Sequence, residues 1–204
     1  MSVFSVARRR MLQAAAAISL AGALAACGDT PPPFKGSDIT GTKLGKTLAL
    51  TDMNGQPRTL NDFAGKVAVV FFGFTQCPDV CPTALAELTQ VMQMLGPDAD
   101  RVQVLLVTVD PERDSPEVLK EYVTSFDPRF LALTGTPEQI KQAAGAFKAY
   151  YAKVPTKDGG YTMDHTAAFY LIDGKGESRV LANSNLGAEG LAHDIKLLLD
   201  QKPN

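Results

Sequence analysis

Apolar runs of strand length recur along the chain and alternate with segments of helical periodicity. Residues 67–74 read VAVVFFGF and residues 102–109 read VQVLLVTV. Nearly continuous apolar runs of this length predict strands that are buried on both faces of a sheet. Shorter runs at residues 130–133, 166–172 and 178–181 predict three further strands.

Four helices are predicted between and after these strands. Apolar residues recur at helical spacing after Pro82, a residue suited to the first turn of a helix. Ser115 and Thr136, each followed by Pro-Glu, are typical helix starts, and the second of these helices is predicted to continue through Tyr151. The last helix carries Leu191, Ile195 and Leu198 on one face.

Two hairpins complete the predicted order. Residues 47–51 and 58–60 flank the turn signal Asn54-Gly55, and the turn at residues 173–176 joins the last two strands. The order ββ, βαβαβα, ββα predicts an α/β domain with a central mixed sheet flanked by helices and an N-terminal hairpin extension. This is the pattern of a thioredoxin-like fold, in which an active-site loop lies between the first buried strand and the next helix.

The N-terminus is predicted to be a targeting segment. A basic run at residues 8–10 precedes apolar residues 14–26, which as a helix would span about 20 Å, too short for the roughly 30 Å hydrocarbon core. The segment ends Leu-Ala-Ala-Cys27, which resembles a bacterial lipobox and implies a diacylated Cys27; a plain signal peptide or an uncleaved anchor is the alternative. Residues 28–44, rich in Pro, Gly, Ser and Thr, are predicted to be a flexible tether, and 45–204 the folded domain.

Composition narrows the function classes. The chain has 45% hydrophobic and 21% charged residues, as in an ordinary soluble protein. Beyond residue 27 there are 17 basic and 22 acidic residues, a net charge of −5, without a basic stripe that interleaves aromatic residues. We therefore expect no nucleic-acid partner. Export also affects the cysteines, because thiols outside the cytoplasm tend to oxidise unless a reductant or a metal protects them.

Cys77 and Cys81 are the first chemical candidates. They lie in the predicted active-site loop, and two residues four apart share one face of a helical turn. A helix N-terminus favours thiolate over thiol. The pair can form a disulfide, act as a redox pair or bind a soft metal, and the spacing alone does not decide between these.

His165 is the natural third candidate, because it stands where a glycine-containing loop enters a buried strand. Asp164 could orient its imidazole or be solvated. His193 lies off the apolar stripe of the last helix and is interpreted as a surface residue. Residues 110–114, Asp-Pro-Glu-Arg-Asp, are interpreted as a solvated loop, and Met163 is not counted as a ligand.

Three separated motifs resemble the SCO/SenC family of copper proteins: residues 72–88, residues 108–114 and Asp164-His165-Thr166. The resemblance implies a thioredoxin-like fold that binds copper through Cys77, Cys81 and His165. The bound ion is expected to be copper(I). Copper(II) could also bind if a further oxygen or nitrogen ligand completed its coordination. The resemblance also implies a role in assembling the copper centre of cytochrome c oxidase, as a metallochaperone, a thiol reductase or both.

The leading hypothesis is therefore a metallochaperone on the periplasmic or outer face of a membrane, held by the lipid on Cys27. Its expected partners are the copper-bearing subunit of the oxidase and other copper chaperones. The rival is an enzyme, a thiol–disulfide oxidoreductase that cycles Cys77 and Cys81. A peroxidase is a third reading, but Thr75 lies two residues before Cys77, whereas the peroxiredoxin pattern places it three before.

Overall fold

A computed structural model describes residues 34–183 and 185–201, which form a mixed eight-stranded sheet, a separate hairpin and four α-helices. The strands are β1 (Ser37–Asp38), β2 (Ala49–Asp52), β3 (Pro57–Thr59), β4 (Val67–Gly73), β5 (Val102–Thr108), β6 (Leu131–Thr134), β7 (Tyr151–Pro155), β8 (Tyr161–His165), β9 (Ala168–Ile172) and β10 (Ser178–Asn183). The α-helices are α1 (Val80–Leu95), α2 (Pro116–Thr124), α3 (Pro137–Phe147) and α4 (Gly187–Asp200), and short 3-10 helices span Leu60–Phe63 and Gly96–Arg101.

The strand order of the sheet is β1-β10-β9-β4-β5-β6-β2-β3. Strands β4, β5 and β6 pair in parallel, and every other neighbouring pair is antiparallel. Every residue of β4 is buried, as its unbroken apolar run predicts for a central strand. The predicted mixed sheet with an N-terminal hairpin, β2–β3, is confirmed.

Helices cover both faces of this sheet. Phe71 and Phe72 are neighbours in β4 and therefore point to opposite faces. The ring of Phe72 packs edge-on against Phe147 of α3, with centroids 5.5 Å apart. On the other face Phe71 lines a cavity with Ala84 of α1, and α1 packs along α4. Among the described residues no helix is both long and apolar enough to cross a membrane.

The folded domain begins earlier than predicted. The backbone N–H groups of Lys35 and Gly36 each donate to the buried carboxylate of Asp194 in α4, at 2.8 Å. Strand β1 then pairs with β10. The predicted tether of residues 28–44 is therefore wrong from residue 34 onward. The lipobox prediction, with Cys27, falls outside the described residues.

Two helix boundaries also differ from the prediction. Helix α1 begins at Val80, so that Cys81 lies inside its first turn rather than before it. Helix α3 ends at Phe147 instead of reaching Tyr151, because Lys148 adopts the left-handed conformation, with φ 54°, and caps the helix. Tyr151 instead begins the antiparallel hairpin β7–β8, which the hydrophobic pattern does not predict.

A buried carboxylate fixes the turn of the N-terminal hairpin. One oxygen of Asp52 accepts hydrogen bonds from the N–H groups of Asn54 and Gln56, at 2.8 and 2.9 Å. The other accepts from Nε of Arg58 at 2.8 Å. Burial by itself raises the pKa of Asp52, but these hydrogen bonds and the Arg58 charge outweigh it and hold the pKa below its ordinary value.

Because the folded state lowers this pKa, Asp52 stabilises the fold fully above the unfolded carboxyl pKa of about 4, and this stabilisation is lost progressively as the pH falls from there through the lower folded-state pKa. We expect Asp52→Asn to lower the free energy of unfolding by about 1–3 kcal/mol at neutral pH, and by less near pH 3. Urea denaturation at both pH values measures this. Asp98→Asn, which removes an exposed ion pair with Arg101, is the control and should cost less than about 1 kcal/mol. An equal loss for Asp52→Asn at both pH values would contradict the account.

Candidate metal centre

The three residues singled out from the sequence meet in space. The sulfur atoms of Cys77 and Cys81 and a ring nitrogen of His165 all lie within 4.8 Å of one another. Cys81 Sγ lies 3.3 Å from His165 Nε2. Both cysteines are free thiols. Cys81 is fully buried, whereas Cys77 and His165 are half-buried, so solvent reaches the cluster at Cys77 and His165.

The two thiols converge because the chain turns sharply between β4 and α1. The N–H of Cys77 donates to the carbonyl of Phe74 at 3.4 Å, and the N–H of Cys81 donates to Cys77 Sγ at 3.3 Å. The last residue of β4 has to be small, since a Cβ added to Gly73 would lie 3.0 Å from Cys81 Sγ. The predicted coil of the segment into a helical turn is confirmed.

Burial opposes ionisation of the inner thiol. It raises the pKa of Cys81 well above the ordinary range, and the side-chain hydrogen bond with Cys77, which favours the neutral thiol, and the nearby carboxylate of Asp114 add to the effect. The expectation that the helix N-terminus would favour the thiolate is therefore wrong for Cys81, because burial outweighs the backbone hydrogen bond with Phe74, which by itself lowers the pKa.

The imidazole of His165 presents a free lone pair to the thiols. Its Nδ1 lies 3.2 Å from the carbonyl oxygen of Thr166. Because a carbonyl oxygen only accepts hydrogen bonds, Nδ1 carries the proton. Nε2 of the neutral ring therefore keeps its lone pair, which faces Cys81 and can bind a metal ion. Burial lowers the pKa of His165 and so favours the neutral ring. That hydrogen bond and the charge of Asp164 raise the pKa and offset part of this effect.

Backbone and aromatic groups hold this ring in place. Phe71 and Phe74 each meet it edge-on, with centroids 5.9 Å away. Asp164, the sequence candidate for orienting the ring, is exposed and makes no hydrogen bond to it. The carbonyl of Thr166 takes that role instead. The ring nitrogen of His193 contacts Asp194 at 2.8 Å, and its side chain is about one-third exposed, so this histidine is partly covered rather than a fully solvated residue.

The acidic loop at residues 110–114 is solvated only in part, contrary to the sequence interpretation: Asp110 and Asp114 are buried, whereas Glu112 is exposed. Asp114 is buried and accepts hydrogen bonds from Thr75 Oγ1 and Thr108 Oγ1, both at 2.6 Å, and from the N–H of Thr75. This carboxylate therefore fastens the loop that carries Cys77 to the end of β5. The sequence signal that could have revealed it is the pair of threonines at the ends of two buried strands: Thr108 is the last residue of β5, and Thr75 lies two residues after β4.

Arg113 joins the cysteine loop to the histidine hairpin. Its Nη1 donates to the side-chain oxygen of Gln76 at 3.1 Å and to the carbonyl of Tyr161, in β8, at 2.9 Å. The guanidinium lies over the Tyr161 ring, 3.8 Å from the centroid. Nε forms an ion pair with buried Asp110, which also accepts from the hydroxyl of Tyr161 at 3.0 Å. The segments that carry the cysteines and the histidine are thus held by one guanidinium.

Two thiols and one imidazole are the ligand set that soft ions prefer, copper(I) among them. The fold and the cluster together define a mixed α/β domain with a Cys-x3-Cys and histidine metal-ligand centre between its first buried strand and the following helix. The model of the SCO1/SenC family matches residues 37–200. The chain belongs to this family.

Individual proteins show the same relationship. A SCO2-like protein of Rickettsia prowazekii is 41% identical over 136 residues, which cover 66% of this chain and 66% of the relative. The structure of Bradyrhizobium japonicum ScoI with copper bound is 43% identical, with a TM-score of 0.69, and covers 80% of this chain and 99% of that one. The crystal structure of yeast Sco1 with copper bound is 32% identical, with a TM-score of 0.70, and the match covers 84% of this chain and 91% of that one. The predicted thioredoxin-like fold is confirmed.

We expect Arg113→Met to loosen the histidine hairpin in the metal-free protein. Hydrogen bonds from a charged group contribute about 1.5–3 kcal/mol, so amide exchange across residues 151–165 should become about 10–100-fold faster. Exchange followed by mass spectrometry measures it. Arg113→Lys, which keeps the charge but not the fork of donors, should restore protection only in part.

Arg101→Met is the matched control, because this surface arginine contacts Asp98 and the carbonyl of Leu199, away from the hairpin. Its exchange across residues 151–165 should equal that of the wild type. Unchanged protection in Arg113→Met would show that the guanidinium does not hold the two segments together.

Proposed function

We propose that this protein is a copper metallochaperone that helps assemble the copper centre of cytochrome c oxidase. The observation that carries the proposal is the convergence of Cys77, Cys81 and His165 donor atoms within 4.8 Å. The copper-bound structures of similar proteins support copper as the cargo. The oxidase as recipient follows from the family resemblance of the three sequence motifs.

The three ligands differ in access, and this suits delivery. Cys81 and the Nε2 side of His165 lie inward, packed by Phe71 and Phe74. Cys77 is half-buried and therefore more accessible than Cys81. A thiolate of an acceptor can displace Cys77 while Cys81 still holds the ion. Soft ligands on both proteins allow such an exchange without releasing free copper.

Copper(I) is the oxidation state that this donor set favours. Two sulfurs and one imidazole nitrogen complete a soft three-coordinate site, whereas copper(II) needs a further oxygen or nitrogen donor. Met163 is buried in the core, and the proposal does not count it as a ligand. The proposal places the domain at a membrane surface through a lipid on Cys27, facing the oxidising side of the cell envelope.

The second candidate function is thiol–disulfide exchange. It is favoured by the contact between the two free thiols, with the N–H of Cys81 3.3 Å from Cys77 Sγ. The more accessible Cys77, as thiolate, would attack a target disulfide and form a mixed disulfide. Cys81, as thiolate, would then displace the target, leaving a Cys77–Cys81 disulfide and two target thiols, a transfer of two electrons.

We expect the reduced protein to bind one copper(I) and His165→Ala to bind it about a hundredfold more weakly, a loss of about 2.7 kcal/mol. Cys77→Ser and Cys81→Ser should lose at least as much, because a hydroxyl is a poor ligand for a soft ion. Anaerobic competition against a chromophoric copper(I) chelator measures the affinity.

His193→Ala is the matched control, since it removes the other histidine of the chain and should leave the affinity unchanged. Full-strength binding by His165→Ala would refute the three-ligand site. The same variant separates the two functions: thiol exchange needs no imidazole, so retained disulfide reduction with lost copper binding would assign the histidine to copper alone.

A further inference from the structure

A narrow groove lies directly beside the metal centre, on the sheet face covered by α1. It has a volume of about 180 Å³ and runs between the first two turns of α1 and the ends of β4 and β9. Its lining residues are Phe71, Asp79, Val80, Thr83, Ala84, Glu87, Ala167 and Phe169. Ligand and cofactor sites usually have about 300–1,000 Å³, so this groove suits a single side chain better than a small molecule.

The groove shares residues with the surroundings of the copper ligands. Phe71, in its wall, also packs against the His165 ring. Val80, in its rim, immediately precedes Cys81 and is 42% exposed. Tyr150 is 63% exposed; its N–H donates to Oγ1 of Thr166, and its carbonyl accepts from the N–H of Thr166, the residue next to His165. Exposed apolar surface therefore flanks the ligands on the Cys81 side and on the His165 side.

The groove is negatively charged and lacks a positive partner. Asp79 and Glu87 both line it, and no Lys or Arg of the described residues lies within 4.0 Å of either carboxylate. One carboxylate oxygen of Glu87, Oε1, is buried and has no hydrogen-bond partner within the described part of the chain. A buried acceptor left unsatisfied is costly, and a bound group with an N–H donor would remove that cost.

We propose that this groove is the docking site for the protein that exchanges copper with the Cys77–Cys81–His165 centre, and that it receives an apolar side chain flanked by a lysine or arginine. The apolar side chain packs on Phe71, Ala84 and Phe169, and the basic group donates to Glu87. This inference rests on the proposed function and specifies how the partner is recognised. Docking here sets the partner's own copper ligands beside Cys77.

The test uses the full-length protein loaded with copper(I) and, as acceptor, the soluble copper-binding domain of the oxidase subunit from the same organism. Transfer is followed spectroscopically over a range of acceptor concentrations. We expect Glu87→Gln and Val80→Ser each to raise the half-saturating acceptor concentration about three- to tenfold. Glu87→Gln should also weaken the dependence of that concentration on salt, because it removes the rim charge.

Two measurements distinguish an effect of the variants on docking from an effect on copper binding. Copper content and the rate of copper loss to a small chelator should be the same in both variants as in the wild type, because a chelator does not use the groove. Met94→Ser, at the far end of α1 and 46% exposed, and Glu138→Gln, an exposed acid in the first turn of α3, are the matched controls and should transfer normally.

Normal transfer to the acceptor domain by both groove variants would overturn the proposed docking site while leaving the metallochaperone function intact. Equal slowing toward the chelator and the acceptor would overturn it as well, since the variants would then have altered the copper site. If wild-type protein bound copper but transferred none to the acceptor domain, the proposed function would fail and the docking site would fail with it.

Discussion

The 3.3 Å approach of Cys81 Sγ to His165 Nε2 depends on one strand pairing. The antiparallel register of β4 with β9 sets Phe71 opposite Phe169. Two segments therefore leave the same edge of the sheet: the cysteine loop follows β4, and the histidine lies three residues before β9 begins. A one-residue slip would turn every side chain of the strand to the other face and separate the thiol from the imidazole. The burial of all of β4 makes that slip expensive.

Strand pairing alone would leave the histidine hairpin free to swing, because β7 and β8 pair only with each other. Arg113 and the two buried aspartates of residues 110–114 restrict it. Asp114 holds the cysteine loop, Asp110 and Arg113 hold Tyr161 of β8, and the centre lies between them. The metal-binding atoms are in this way brought together before any ion binds, which reduces the conformational entropy lost on binding.

Much of this arrangement was predictable, and the reasons for the exceptions are physical. Buried strands such as β4 and β5 carry a strong apolar signal, and Ser115 and Thr136 cap helices as predicted. Hairpin β7–β8 is half-exposed on both sides and shows no clear alternation of apolar and polar residues, so its hydrophobic pattern does not predict strands. The aspartates of residues 110–114 were misassigned because acids are usually exposed, and the remote threonine and arginine partners that satisfy them cannot be seen in local sequence.

The central claim is that two sulfurs and one imidazole nitrogen share a single copper ion. X-ray absorption spectroscopy at the copper edge of the anaerobically loaded, reduced protein tests this most directly, because it counts the ligands by atom type. The account predicts two sulfur scatterers and one imidazole nitrogen per copper, with the multiple-scattering pattern of an imidazole ring. A spectrum with two sulfurs and no imidazole contribution would contradict it.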